Sequence, residues 1–418
     1  MAHWFHRNPL KATTQIDFNL KGVLTTANTS KICNELRLAR NKLLELVADP
    51  NHEADVVSKA AKDYLSWLQG FITSFDPSAP GDSKMRHIIK FRWTNTLLGN
   101  ATVDVQDTIF ETASILFNVA LWYTKHAAKL AGKDDPDMEE AKEVHKCLRT
   151  AAGIFTYIKD NLAGKLIEPA EKGTDLEGRV LEAYIHQCTA EAQEVTIARA
   201  IELKHSASIV SALANETAKM FQDADVAVMS LDEKQVSKWR KYLQFKMGIY
   251  YAYAYNFHGE TLLAQDKCGE AIKCLQESVK NYEKAETLGK EYSSTKGPGT
   301  TAKPQDHLFF RKLGPVVKRT LEKCIRENGF IYHQKVPLDV PELELKATYG
   351  LVSPEEFPVP EANPLWTADN YKAFDITKAP PRESKDDKKE DKEIPPVKEQ
   401  DIPQSNKDPR TFSGCVVS

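Results

Sequence analysis

Residues 249–286 read IYYAYAYNFHGETLLAQDKCGEAIKCLQESVKNYEKAE, and this stretch decides the fold. Ala252, Ala254, Gly259 and Ala271 place small side chains where two antiparallel helices would touch, and residues 266–270, DKCGE, supply the turn between them. One helical hairpin of this kind cannot bury its apolar face alone. Neighbouring hairpins must complete the core, so the stretch predicts a helical solenoid.

The small-residue pattern is strong only once, which favours an irregular, mainly α body carrying one tetratricopeptide-like pair over a regular array. Toward the N-terminus, Ile32, Leu36, Ala39, Leu43, Leu46 and Val47 recur at three and four residues, as one helical face requires. Ala60, Tyr64, Leu65, Leu68, Phe71, Ile72 and Phe75 repeat the habit, and DPSAPG at 76–81 closes that helix. Residues 109–131 are apolar on most faces, which predicts a central helix. Glu111, Lys125, His126 and Lys129 leave its apolar run short of the ~20 residues a bilayer span needs. Further helices are predicted near 137–161, 175–204, 206–229, 232–265, 268–287 and 305–328, with short connections that make most neighbours antiparallel.

The flanks differ from this body. Ile16, Phe18 and Leu20 alternate with polar residues and Val23 follows, so a small β-hairpin or sheet is expected within residues 1–27, ahead of a helical body over 30–330. Residues 331–375 are rich in proline and apolar side chains without helical period, which predicts an extended strap across the helices. Residues 378–414 hold nine basic residues, nine acidic residues and six prolines. Such a segment cannot offset its ordering entropy by burial, so 376–414 is expected to be a disordered tether.

With 56 basic and 59 acidic residues among 418, the net charge is -3, and nothing in it favours nucleic acid. Seven cysteines, odd in number and without a CxxC pair, argue against a disulfide framework or a zinc site. Residues 1–18 lack a signal-peptide apolar core, so the chain is expected in the cytosol, where the acceptor triplets at Asn28, Asn100 and Asn215 go unused. No phosphate-binding glycine loop, GxSxG or HExxH occurs. His3 and His6 have no carboxylate set beside them, and Gly297-Pro298-Gly299 reads as a loop between long helices. Catalytic residues, a cofactor, a metal and a small-molecule substrate are therefore not expected.

Residues 415–418 read CVVS, a cysteine followed by two aliphatic residues and a terminal serine. That is a prenylation signal of the farnesyl type, so Cys415 is expected to be modified by protein farnesyltransferase at the end of its tether. One lipid binds a membrane only reversibly. The tail's charges balance, and Ala2 in place of glycine excludes N-myristoylation, so the second contact must come from the folded domain or its partner. The expected location is cytosolic and peripheral on membranes.

Between Ser206 and Val228, Val210, Ala214, Thr217 and Phe221 form one stripe suited to a core, and Ile209, Leu213 and Met220 form a second beside it. Together they are wider than a single-sided surface helix needs. Two readings stay open: a groove for a partner helix anchored at spacings of three and four, or a helix buried on two sides.

Four long blocks carry a family resemblance: HWFHRNPLK at 3–11, AEAQEVTIARAIELK at 190–204, WRKYLQFKMGIYYAYAYNFHGE at 239–260 and ENGFIYHQKVP at 327–337. They resemble the Bro domain of ALIX and its relatives over roughly residues 1–375. The resemblance implies a boomerang of helices with a tetratricopeptide-like core, and a groove that binds the C-terminal amphipathic helices of ESCRT-III subunits of the charged multivesicular body class, at endosomal, nuclear-envelope or other ESCRT sites. It assigns Ile209 and Leu213 to the groove's apolar contact and Lys142 to its lining. Where ALIX has an aromatic residue ahead of this patch, this sequence has Thr196 followed by Ile197, so that part of the pocket is smaller and more polar. Tyr349 and Leu351 correspond to the strap where it crosses the groove. Tyr332 resembles a family tyrosine that is either packed or a phosphorylation and docking site, and packing is the reading preferred.

Nothing here resembles ALIX's later V-shaped domain or its proline-rich tail. The expectation is a farnesylated, non-enzymatic ESCRT-associated adaptor in membrane remodelling or repair. Its rivals are a prenylated Rho-type signalling scaffold, which lacks the accompanying GTPase-binding segments here, and a prenylated helical enzyme, for which no acid, base or nucleophile set is visible.

Overall fold

The computed structural model describes residues 6–133, 137–299, 308–343, 346–347, 349–379 and 393–400. Its order is α1 (Ala27–Val47), α2 (Ala54–Ile72), β1 (Phe91–Thr94), β2 (Thr102–Val105), α3 (Thr108–Ala131), α4 (Met138–Tyr157), α5 (Gly178–Glu202), α6 (Ala207–Val228), α7 (Glu233–Ala264), α8 (Cys268–Ser294), α9 (Leu308–Glu327) and the short α10 (Ala368–Lys372). From α3 to α9 each helix packs on the next, as a solenoid requires. Local sequence starts two of these helices with capping boxes: Thr26 and Thr29 exchange hydrogen bonds at α1, and Asp137 and Glu140 do so at α4. The apolar α3 is buried on nearly every face, at the centre of the core.

The α7–α8 pair has the close contact its small residues foretold. Ala252, Ala254 and Ala271 are fully buried, and a Cβ on Gly259 would come within 2.7 Å of Leu275 Cγ. Phe221 on α6 stacks on Tyr250, and Phe155 on α4 stacks on Tyr184 of α5, so aromatic contacts join successive layers.

Among the described residues of the N-terminal segment, 6–27, the expected hairpin is not there. The two-stranded antiparallel sheet is β1–β2, with Phe91 opposite Val105 and Thr94 opposite Thr102. The N-terminal segment adds only the bridges Thr13–Trp93 and Leu24–Phe374. The reason is electrostatic: its backbone and side chains are committed to the helices. Arg7 donates two hydrogen bonds to the Glu191 carboxylate, at 3.0 and 2.8 Å, and Lys11 lies 3.5 Å from Asp175. Asn118 receives the Lys11 amide and returns a bond to its carbonyl, both at 2.9 Å. Phe18 and Val23 bury themselves without a strand partner.

Other buried carboxylates are matched in the same way. Glu111 on α3 accepts from Arg40 of α1, Tyr64 of α2 and Trp93 of β1, at 2.7 to 2.9 Å. Glu194 pairs with Lys246 of α7 at 2.8 Å. Burial, reinforced by nearby Glu191 and opposed by Lys246, pushes the Glu194 carboxyl up to about 7.

Two parts of the expected tether are ordered onto the body. Ile376–Lys378 is a 3-10 turn beside Val23, whose carbonyl accepts the Asp375 amide, and residues 393–400 lie against the N-terminal segment. Overall composition hides this, because Ile394 and Val397 form a small apolar island within a charged, proline-rich stretch. The rest of 380–414 lies outside the described residues, as does Cys415. Among its described residues the strap contains one α-helix, α10, started by the Thr367 side chain and too short for its period to be read in sequence.

His6 gives a pH-dependent test of the N-terminal lock. Its Nε2 lies 3.1 Å from Asn8 Oδ1 and its Nδ1 3.0 Å from the Tyr292 hydroxyl, an arrangement that suits the neutral ring donating through Nε2. Burial foremost, with Lys238, Arg7 and Lys125 nearby, lowers its pKa to about 3 against the opposing Asn8 bond. The unfolded chain therefore takes up this proton below pH 6.5 while the folded chain does not until about pH 3. Stability from this group is complete above pH 6.5 and falls between those values, by about 1.4 kcal/mol per pH unit at most. Urea midpoints measured from pH 7 to 5 should drop more steeply for the wild type than for His6→Gln. Parallel slopes would disprove the assignment.

Candidate partner-binding groove

The groove is built by the α5–α6 hairpin and the strap that crosses it. Asn215 of α6 donates to the Leu343 carbonyl at 3.4 Å. Further along, the Gln193 amide of α5 clamps the strap from both sides: its Nε2 donates to the Gly350 carbonyl at 2.8 Å, and its Oε1 accepts the Val352 amide at 2.7 Å. On α4, Arg149 donates to the Ser353 carbonyl and accepts the Glu355 amide, both at 3.0 Å. Gly153 allows the closest approach, since a Cβ there would overlap the Glu355 carbonyl. Phe357 then meets Tyr157, with ring centroids 5.3 Å apart, and Trp366 donates to the Trp67 carbonyl of α2. The strap thus runs from α6 over α5 and α4 to α2.

This path separates the two residues expected to act together. Ile209, in the first turn of α6, is 44% exposed. Leu213, one turn later, is 2% exposed, because the strap covers it: a Cβ on Gly350 would sit 3.6 Å from Leu213 Cδ2 and 3.8 Å from Thr196 Cγ2. Thr196 is half-buried at the same crossing, so the small side chain at this position is what lets the strap lie close. Ile197 is buried in the core and Met220 is half-buried against it. Beside the crossing, Tyr349 is 83% and Leu351 47% exposed. Ile209, Tyr349 and Leu351 are the uncovered apolar residues at the crossing, and Leu213 lies beneath the strap.

Sequence reasoning missed three contributors. Ile201 and Leu203, at the end of α5, are exposed next to the turn that leads to Ile209. Ile201 follows Ile197 by one turn, and that continuation was the available signal. The clamp at Gln193 had none, because its partners lie about 160 residues away. Lys142 is exposed on α4 and pairs with Glu139 of its own helix at 2.8 Å. The Arg149–Ser353 and Gln193–Val352 contacts put residues 149 and 193 at one level, while Phe155 stacks on Tyr184, so α4 and α5 run antiparallel. Seven residues before Arg149, Lys142 stands at the level of the α5 C-terminal turns, a rim position. Tyr332, in a π-turn after α9, packs half-buried against the cluster of Leu262, Cys268 and Cys324.

The six described cysteines outside the terminal motif are buried and free. His126, Glu143 and Cys147 bring donor atoms within 4.8 Å of one another, a grouping that spacing does not reveal. Protein partners already engage them, with His126 Nδ1 2.8 Å from the Pro50 carbonyl and the Cys147 thiol 3.4 Å from Glu143. No helix among the described residues is long and apolar enough to cross a membrane.

Residues 8–374 match the BRO1-like domain family, and the chain belongs to it. It is 58% identical over 384 residues to the human BRO1 domain-containing protein BROX, covering 92% of this chain and 93% of that one. To the protein of the same name from Danio rerio it is 54% identical over 420 residues and the full length of both. Among solved structures, the ALIX BRO1 CHMP4C complex shares the fold, with a TM-score of 0.67 at 22% identity over 87% of this chain and 99% of that chain.

The geometry separates surface from support. Leu213→Asp would bury an unpaired carboxylate beneath the strap and should lower stability by about 3 kcal/mol or more, whereas Ile209→Asp should change it by less than about 1 kcal/mol. Gln193→Ala should speed hydrogen exchange at the Val352 amide with little effect on the helices. Thermal melts and exchange measurements check these outcomes, and equal melting of the two Asp variants would contradict the covered position of Leu213.

Proposed function

We propose that this chain is a non-enzymatic, membrane-associated adaptor whose groove receives the C-terminal amphipathic helix of an ESCRT-III subunit, and whose farnesylated Cys415 supplies a weak membrane anchor. The observation that carries the reading is the uncovered apolar cluster of Ile209, Tyr349 and Leu351 where the strap crosses α5 and α6. A fold shared with the solved ALIX BRO1 CHMP4C complex supports it. Anchors spaced by three and four on a partner helix would lie against this cluster, with Lys142 available to an acidic residue at the rim. The partners in this reading are ESCRT-III subunits, protein farnesyltransferase and the membrane, and its setting is ESCRT-dependent remodelling or repair.

Ile209→Asp tests the groove. A carboxylate there would have to be desolvated without a partner as the helix docks, at about 2 to 5 kcal/mol, and each ~1.4 kcal/mol is tenfold in affinity. Titration calorimetry with a charged multivesicular body protein C-terminal peptide should show binding to the wild type and none to folded Ile209→Asp. Lys142→Ala should weaken it less, in a salt-dependent way. Undiminished affinity in folded Ile209→Asp would place the partner elsewhere.

Cys415→Ser should release the protein from membranes on cell fractionation while leaving its melting temperature and its peptide affinity unchanged. The same membrane fraction for both forms would rule out the lipid as the anchor.

A further inference from the structure

Residues 393–400 dock on the body through specific contacts. The Glu399 carboxylate accepts the Leu10 amide hydrogen at 2.7 Å and pairs with the Lys125 ammonium of α3. Gln400 accepts from the Asn51 side chain at 3.1 Å. Ile394 is buried and Val397 half-buried against the core. With Leu10, Ala12, Leu44 and Val47 they border a cavity of about 530 Å³.

Lys125 distinguishes this seat from casual surface adhesion. α3 carries its ammonium to a buried position where burial and the nearby Arg7 both disfavour the charge, and Glu399 is the carboxylate that offsets them. A buried cation is tolerated only when paired and hydrogen-bonded. The body therefore presents a charge that needs an acidic partner, and the tail brings one, preceded by two apolar side chains that form part of the wall of the adjoining cavity. The seat belongs to the N-terminal segment, α1 and α3, whereas the groove belongs to α5, α6 and the strap. Both can be occupied together.

We propose that residues 393–400 are a clamp that fixes the tail to the N-terminal face, so that the lead to a lipid on Cys415 starts from Gln400 at that face and biases it toward the membrane. The orienting role rests on the farnesyl reading; the clamp itself does not. Without the clamp, 36 residues separate Ala379 from Cys415, a reach of at most ~120 Å; from Gln400 only 15 remain, ~50 Å. Effective concentration falls with about the 3/2 power of tether length, so the clamp raises the body's concentration at the membrane about fourfold and biases the side it approaches from.

Hydrogen exchange on the full unmodified chain tests the clamp. The Leu10 amide, which donates to the Glu399 carboxylate, should be protected in the wild type. It should exchange about tenfold faster in Glu399→Lys, which sets like charges together, and in Ile394→Asp, which leaves Lys125 paired or solvated but breaks the apolar contact. Fast exchange of the Leu10 amide in the wild type, or an unchanged rate in both variants, would overturn the clamp. For orientation, dyes are placed at Asp17→Cys, next to the seat, and at the distant exposed Leu338→Cys of the farnesylated chain, bound to phosphatidylcholine vesicles carrying a lipid quencher. Stronger quenching at position 17, lost with Glu399→Lys, is expected. Equal quenching at both positions overturns the orienting role. If the farnesylated chain does not bind vesicles, the anchor reading and the orienting role fail together, while the exchange result still decides the clamp.

Discussion

The fold depends on carboxylates that its central helices carry into the core. Glu111 on α3 and Glu191 and Glu194 on α5 are all buried, and no arrangement of these helices is stable unless each meets donors from elsewhere in the chain. Arg7 grips Glu191 bidentately while Gln187 and Tyr242 complete its coordination. Removing one member of such a set leaves an uncompensated buried charge, at about 3 to 5 kcal/mol. Apolar contacts alone would let the layers slide. The ion pairs tie the N-terminal segment, α1 and α7 to α3 and α5 in one register.

α5 is where this constraint becomes functional. Its inward side holds Glu191 and Glu194, and Gln193 between them turns to the strap. The same helix that is locked from within thus positions the strap from without. Because Gln193 bonds both Gly350 and Val352, the strap cannot slide along α5 without breaking two hydrogen bonds, and its grip decides that Leu213 is covered while Ile209 is open. The groove is the remainder of a surface that the chain has already half filled with itself.

The helices were legible because burial on one side imposes a period of 3.6, and the α7–α8 contact because only small residues permit it. The apolar stripe on α6 was legible too, but its division was not: Ile209 and Leu213 look alike in sequence, and what separates them is Gly350, some 137 positions away. The N-terminal alternation misled for a related reason. Ile16, Phe18 and Leu20 alternate with exposed polar residues because the segment is half-buried, and half-burial of an extended chain has period two with or without a neighbouring strand. In the tail, mean composition diluted Ile394 and Val397, although the partner that makes their docking favourable, Lys125, was visible as an unexplained cation in the most apolar helix.

Placing the groove and the tail seat on one body has an energetic consequence that neither has alone. In the proposed reading Cys415 carries one lipid, and a single lipid chain holds a protein to a bilayer with an association constant on the order of 10⁴ M⁻¹, so that lipid by itself would leave much of the protein in solution. The groove offers a few apolar anchors, and a short partner helix must lose conformational entropy to use them. When a membrane carries the partner, the second contact forms at the effective concentration set by the tether and not at bulk concentration, and avidity of this kind reaches 10² to 10⁴ over either contact. The helical core between the sites need not change shape to couple them, because rigidity is sufficient. On that reading a clamp that shortens the lead to the lipid would strengthen the coupling, and weak individual contacts would keep the protein off membranes that offer only one of the two.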